Sequence, residues 1–355
     1  MRLLPYPLDF FFNYPFVHYA SSIFQQQPVV DVTYIVGQKA TSILLSERKS
    51  AGAHFTSNVA HFHGAPTPEM LDPNGGETSN FKVEGNYYRD VNKKFALARG
   101  GYGALIFEHS RAYDNMHGLQ GAEGTLGQMR AVLKTEAIRD VITTWQASES
   151  FEWAAFSRKL EPLGDSTDIR TLDGVFLVGI PEAQADMYCS WAQETGFILT
   201  AAVPLSVAVG NWAIRKGLAN VPHYFLVIPG TTKYRCFFIR DGRVEQYFQA
   251  TTEQYVASDM QGTMDEALLD NPECNGAPLY LWPTEGMDIS KIADSFARAS
   301  SARIPIVIDD RLIQSVYGEE YLISPSAILC DWVATLAIPD HRPLTGACNP
   351  IIIGE

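Results

Sequence analysis

The chain has 355 residues, more than one hydrophobic core usually serves, so two lobes are expected. Its 46% hydrophobic and 19% charged content describes a globular protein, not a disordered one. The formal charge of −13 and the lack of any Lys/Arg run longer than Arg48-Lys49 or Lys93-Lys94 exclude the usual nucleic-acid binders.

Five cysteines stand far apart with no Cys-x-x-Cys, which argues against a zinc ribbon or a disulfide framework and for a reducing compartment. Cys189 and Cys330 sit on apolar helical faces and read as core residues. The apolar N-terminal stretch is interrupted by Pro5, Pro7, Asp9, Asn13, Pro15 and His18. It is too short and too broken for a spanning helix, so any membrane association is expected to run through a partner.

In chain order, β-rich runs from Thr33 and from Thr41 meet at Gly37-Gln38-Lys39, which reads as a hairpin. Residues 64–84 collect Pro, Gly, Asn and Asp and read as a long loop. A strand is expected at Ala104–Glu108, and a helix from Leu126 to Trp145, where apolar residues fall at helical spacing. The run GVFLVGI from Gly174 is of buried-strand type. Pro181 then opens a helix that closes near Gly196, a strand runs from Phe197 to Ala202, and Pro204 opens a second helix ending near Gly217. Next comes a meander, HYFLVIPG, TTKYRCFFIR and RVEQYFQA. Its Asp241-Gly242 pair signals a type I′ hairpin turn, which needs positive φ at both residues. Strand, helix, strand and helix follow in PLYLW, DISKIADSFARAS, RIPIVID and SPSAILCDWVATLAI. The hairpins near 37 and 230 form a loose echo; no fixed-period repeat is present.

This succession of glycine-turned hairpins and strand–helix units resembles the actin-like ATPase superfamily, an α/β, two-lobed, ribonuclease H-like fold. Within it, residues 172–250 look like the cytoplasmic actin-like component of type IV pilus assembly platforms, the PilM family, and the cytoplasmic domain of the type II secretion platform protein GspL. The segments VFLVGIPEAQADMYCSWAQETGFILTAAVPLSVAVGNW and FLVIPGTTKYRCFFIRDGRVEQYFQ carry the likeness. It implies an N-terminal lobe over 1–170, with a divergent arm and a loop insertion, and a C-terminal actin-like lobe over 171–355.

The resemblance also implies a nucleotide site, from which this sequence departs. Active members carry an Asp two residues before the glycine of each phosphate hairpin, where a carboxylate holds Mg²⁺ and its waters. Here those positions are Ile35 and Ile228. The adenosine-contacting glycine cluster is replaced by Pro283-Thr284-Glu285-Gly286. A remnant cleft would be lined by Gly37, Gln38, Lys39, Gly230, Thr231, Thr232, Lys233 and Gly286, whose backbone N–H groups, hydroxyls and ammoniums suit an anion. Ordinary hairpin tips use the same residues. The expectation is therefore a non-catalytic scaffold with ATP and Mg²⁺ disfavoured. It would sit on the cytoplasmic side of an inner membrane and bind the short tail of a membrane-anchored pilus or secretion component.

Two alternatives stand beside it. One is an active Mg-ATP-binding protein taking its acids from Asp31 or Asp241. The other is a metallohydrolase built on His61 and His63, which share a strand face, with His54, His109, His117, Asp72 or Glu108 completing a shell. No further spacing of a recognised metallohydrolase supports that site, and neither glycine-rich stretch, 100–103 or 118–127, matches a phosphate-binding loop. The opening Leu3-Leu4-Pro5-Tyr6 resembles the Asn-Leu-Leu-Pro core of the tail that pilus platforms capture, which raises self-association through the N-terminal arm; an aromatic arm packed on its own lobe accounts for it equally.

Overall fold

The computed structural model describes residues 29–36, 40–48, 54–63, 102–108, 112–119, 123–145, 150–186, 198–252, 256–284, 286–300, 303–317 and 325–337. The N-terminal arm, the 64–84 loop, Gly37-Gln38-Lys39 and most of the expected helix after Pro181 lie outside them.

Two compact units form, each from discontinuous segments. The first takes Met1–Glu108, Ala183–Leu205 and Ile313–Glu355; the second takes His109–Glu182 and Ser206–Leu312. The division differs from the expected boundary between 170 and 171, because strand pairing overrides order along the chain.

In the first unit, β1 (Val29–Val36) pairs antiparallel with β2 (Ala40–Arg48), and β2 antiparallel with β3 (His54–His63). The register runs from Val29↔Arg48 to Val36↔Thr41, so β1 and β2 form the antiparallel pair that the sequence predicts. On the other side of β1, β4 (Tyr102–Phe107) pairs parallel, and β8 (Ile198–Pro204) pairs parallel with β4. The sheet order is β3-β2-β1-β4-β8. It is β8's partnership with β4 that carries residues 183–205 out of the second unit. The spacing predicts GVFLVGI and the strand after Phe197 as one strand–helix–strand unit, and they stand instead in different sheets.

The second unit repeats the first sheet's plan. Strands β9 (His223–Ile228), β10 (Lys233–Arg240) and β11 (Arg243–Thr251) form an antiparallel meander, while β12 (Leu279–Leu281) and β13 (Pro305–Val307) add parallel to β9. The order is β11-β10-β9-β12-β13. Element for element this matches the first sheet, so the echo of two glycine-turned hairpins is a repeat of topology.

Alternation along β9 and β10 explains the two covered faces. Phe225, Val227, Tyr234, Cys236 and Phe238 enter a core with Met260, Met264 and Leu268 of a helix at Val256–Leu269, and with Ile292 and Phe296 of a helix at Ile289–Ala299. These elements are α3 and α4 when the helices are numbered α1 (Leu126–Trp145), α2 (Leu205–Trp212), α3, α4, α5 (Asp310–Tyr317) and α6 (Pro325–Ala337). Asp288 caps α4 by accepting from the Lys291 N–H. In the first unit α6 packs on β1 and β4.

Between β4 and β8 the chain inserts a second layer of structure. Strands β5 (Tyr113–Gly118), β6 (Phe151–Phe156) and β7 (Gly174–Pro181) form an antiparallel sheet in the order β5-β7-β6. Its middle strand is GVFLVGIP, buried along its whole length, which accounts for the continuous apolar run. Helix α1 lays Leu126, Leu133 and Ala137 against Tyr113, Trp153, Val175 and Leu177. On its other face Phe176 meets Phe237 of β10 and Tyr247 of β11, with ring centroids 5.6 and 4.9 Å apart. The insertion is thus packed into the core of the second unit.

The β10–β11 turn has Asp241 at φ 51° and Gly242 at φ 69°, the type I′ pattern. Gly242→Ala should cost about 1 kcal/mol, the penalty of a Cβ in the left-handed region, measured as a lowered urea midpoint with unchanged slope.

Candidate functional site

Because β9, β12 and β13 are parallel, their carboxyl ends share one edge of the second sheet. The turn 229–232 leaves β9 at this edge, residues 282–288 leave β12, and Ile308-Asp309-Asp310 leave β13. The Trp282 N–H donates to Val227 O and the Ile308 N–H to Leu281 O, which ties the three exits together. In open α/β sheets this carboxyl edge is where ligands bind. The structure places Gly230, Thr231 and Thr232 at the same edge as Gly286. Gly37, Gln38 and Lys39 are outside the described residues.

Gly230 is buried, and its carbonyl accepts from the Thr252 hydroxyl at 3.3 Å; the Thr252 N–H donates to Thr232 O at 2.9 Å. These bonds fasten the turn to the end of β11. Thr232 is exposed and Thr231 half-buried. Gly286, at φ 73°, gives the 282–288 segment its reversal, a conformation glycine adopts without strain. Trp282 is buried edge-on against Trp212, centroids 5.5 Å apart. The strand end thus contributes core where an open glycine cluster would admit a base.

Lys233 is not aimed away from the protein. Its ammonium donates to Ala112 O at 2.7 Å and to Asp114 Oδ1 at 2.8 Å. Arg235, two residues on and on the same strand face, donates through Nε to Asp114 Oδ2, which also accepts from Ser206 Oγ at 3.5 Å. All four residues are buried. Burial pushes the Asp114 carboxyl upward, but the charges of Arg235 and Lys233 and their hydrogen bonds prevail and hold it at about 2. Burial, and then the Asp114 charge, push the nearby Tyr247 phenol well up, so it stays neutral. No local signal marks Asp114: it lies on the short polar strand YDNMHG, about 120 residues from its cations.

The acids are the decisive part of the geometry. Ile228 ends β9 two residues before Gly230 and is 1% exposed, a packed side chain where a metal-holding carboxylate is required. Neither proposed substitute lies at the turns. Asp31 pairs with Ser46 near the far end of the β1–β2 ladder, five residues or about 17 Å along the strand from Val36. Asp241 is at the opposite end of the eight-residue β10 from the 229–232 turn, about 27 Å away. The side chains described at this edge do not fit a magnesium-bound polyphosphate. The 229–232 turn itself offers backbone N–H groups and two threonine hydroxyls, with no carboxylate and with its adjoining cation committed internally; of the acids that leave the neighbouring strands, Asp288 and Asp309 cap helix starts by accepting from the Lys291 and Leu312 N–H groups.

His61 and His63 lie on β3 opposite Ser42 and Ala40, two residues apart and so on one face; their side chains are outside the described part. Among the described residues no group of three His, Cys, Asp or Glu is placed to hold a metal ion. His117 accepts or donates at 3.0 Å with the Tyr113 hydroxyl, and Glu108 is buried just after β4. Cys236 and Cys274 are buried free thiols, and burial raises both above the ordinary range; Cys330 is buried as well. No described helix is long and apolar enough to cross a membrane.

Two sheets of identical order and sense, each three antiparallel strands extended by two parallel ones, decide the fold. That is the two-sheet plan that the resemblance to the actin-like ATPase fold implies. Solved structures align with it. A Bacteroides thetaiotaomicron protein with actin-like ATPase fold and unknown function shares 10% identity, over 82% of this chain and 94% of that one, with a TM-score of 0.46. The PilM-PilN type IV pilus biogenesis complex shares 10% over 90% of this chain and 100% of that one, TM-score 0.47. The cytoplasmic domain of EpsL, an inner-membrane component of the type II secretion system of Vibrio cholerae, shares 9% over 72% and 82%, TM-score 0.35. These are likenesses of fold. No protein-family model and no curated protein matches the chain.

Proposed function

We propose that this actin-like protein is a scaffold that does no nucleotide chemistry and works by binding a protein partner. The observation that carries this reading is the buried Ile228 at the position of the second turn's metal-holding acid, with Asp31 and Asp241 both at the wrong ends of their strands. A fold that keeps its two-sheet frame while its turns lack carboxylates retains surfaces and loses the means to hold Mg²⁺.

The partner class comes from the resemblance of residues 172–250 to the pilus-platform family. The scaffold captures the short cytoplasmic tail of a membrane-anchored pilus or secretion-platform component by peptide recognition, and is peripheral to the inner membrane through it.

Two titrations test the proposal. Mg-ATP titrated into the purified protein should give no binding heat up to about millimolar concentration, which is weaker than about 4 kcal/mol of binding. Micromolar, magnesium-dependent binding would overturn the nucleotide-free reading. Synthetic peptides with the sequences of cytoplasmic tails of type IV pilus and type II secretion platform components should bind at micromolar affinity, and a flat response to all of them would remove the partner assignment.

A further inference from the structure

We infer that Asp114 is a resident anion: it occupies the cation at the start of β10 and so silences the 229–232 turn toward phosphate. The inference deepens the proposed function and rests on it, since it supplies a reason why a turn with glycine, two threonines and a lysine attracts no polyphosphate.

Lys233 directly follows the turn, and is the cation nearest to it in the chain. Its ammonium would be the natural partner of an anion cradled by the Gly230–Thr232 backbone. Instead the insertion brings in β5, and Asp114 meets Lys233 Nζ at 2.8 Å while also engaging Arg235 Nε. The Ala112 carbonyl, from the residue before β5, takes a second Lys233 proton at 2.7 Å. A carboxylate reproduces two features of a phosphate, its charge and its paired acceptor oxygens, and here each oxygen faces a different cation. Held at about 2, Asp114 is ionised throughout the physiological range, so the occupation is permanent at neutral pH.

Removing the charge without changing the volume should free Lys233. Its four-carbon stem can then carry the ammonium toward the exposed Thr232 side of the turn. The probe is inorganic pyrophosphate, against chloride at equal ionic strength. Asp114→Asn should bind it at least about tenfold more tightly than wild type, the difference made by one or two charge-assisted hydrogen bonds. Melting temperature should rise with pyrophosphate in this variant only. The gain should vanish in Asp114→Asn combined with Lys233→Met. Should Asp114→Asn fold only when pyrophosphate is present, that outcome also supports the inference.

An independent arm uses the otherwise unaltered chain: Lys233→Met, which leaves Asp114 paired with Arg235, should not change whatever weak pyrophosphate affinity the wild type has. A fall in that affinity would overturn the inference, because it would show Lys233 already open to anions. So would an Asp114→Asn protein that folds and gains nothing. The Mg-ATP titration separates the two readings. Wild type that binds Mg-ATP refutes the proposed function, whereas wild type that ignores it, with Asp114→Asn gaining nothing, refutes the resident anion alone.

Discussion

Asp114→Ala is expected to cost about 3–5 kcal/mol of folding stability, because it leaves two buried cations without the carboxylate they share. For a protein of this size that corresponds to a fall in melting temperature of roughly 10 °C. Lys233→Met should cost clearly less, since Arg235 and Ser206 still engage Asp114. The same carboxylate sets a pH dependence. Its folded-state pKa is depressed from 3.8 to about 2, so its contribution is complete above the unfolded value and is lost as pH falls through the folded one. The shift is worth about 2 kcal/mol, drained between about pH 4 and pH 2. Urea unfolding at pH 5, 4, 3 and 2.5 should show wild type losing this increment while Asp114→Asn does not. Parallel acid profiles for the two proteins would show that the carboxylate gives the fold no net charge–charge stabilisation.

That network also explains what was legible in the sequence and what was not. The meander 223–251 was readable because every signal was local: alternating residues, Asp-Gly at the turn, glycine at the other. The helix Leu126–Trp145 was readable for the same reason, with the bounds that the spacing predicts. Strands β5 and β6 escaped notice because YDNMHG and FEWAAF lack β-branched residues, and their pairing with β7 comes from segments up to 66 residues away in the register Tyr113↔Gly179. Helix α3 carries a legible signal of its own, with Val256, Met260, Met264 and Ala267 returning every three or four residues. Of the candidate site, the local glycine signals supplied the turns, and the resemblance to the actin-like family supplied the expectation of an acid where Ile228 stands. The engagement of Lys233 could not be read, since the residue that answers it belongs to an insertion with no motif of its own. The expected boundary near 170 failed for a related reason: β7 and β8 are neighbours in sequence, yet one is the centre of the inserted sheet and the other pairs with β4.

The second large effect concerns whether that insertion is an appendage or part of the second unit's core. Phe237 is fully buried on the β10 face that meets the insertion, with its ring 5.6 Å from Phe176 and 4.9 Å from Tyr247. A Cβ at Gly210 would come within 3.5 Å of the same ring, so α2 also closes on it and leaves little freedom for collapse. Phe237→Ala should therefore cost about 3–5 kcal/mol, the range for deleting a buried aromatic side chain. The location of the damage is the more telling result. If Phe176 and Phe237 join one cooperative core, hydrogen exchange at the amides of β7 should accelerate in step with those of β9 and β10, by the factor that the global loss dictates. An insertion that folds by itself would keep β7 protected while β9 and β10 open early. That result would detach Asp114 from the stability of the sheet it serves. The ion pairs Asp114–Lys233 and Arg243–Asp173, which also join insertion to meander, predict the joined behaviour. The aromatic contact carries more of it than the exposed Arg243–Asp173 pair, since solvent screens the latter to well under 1 kcal/mol.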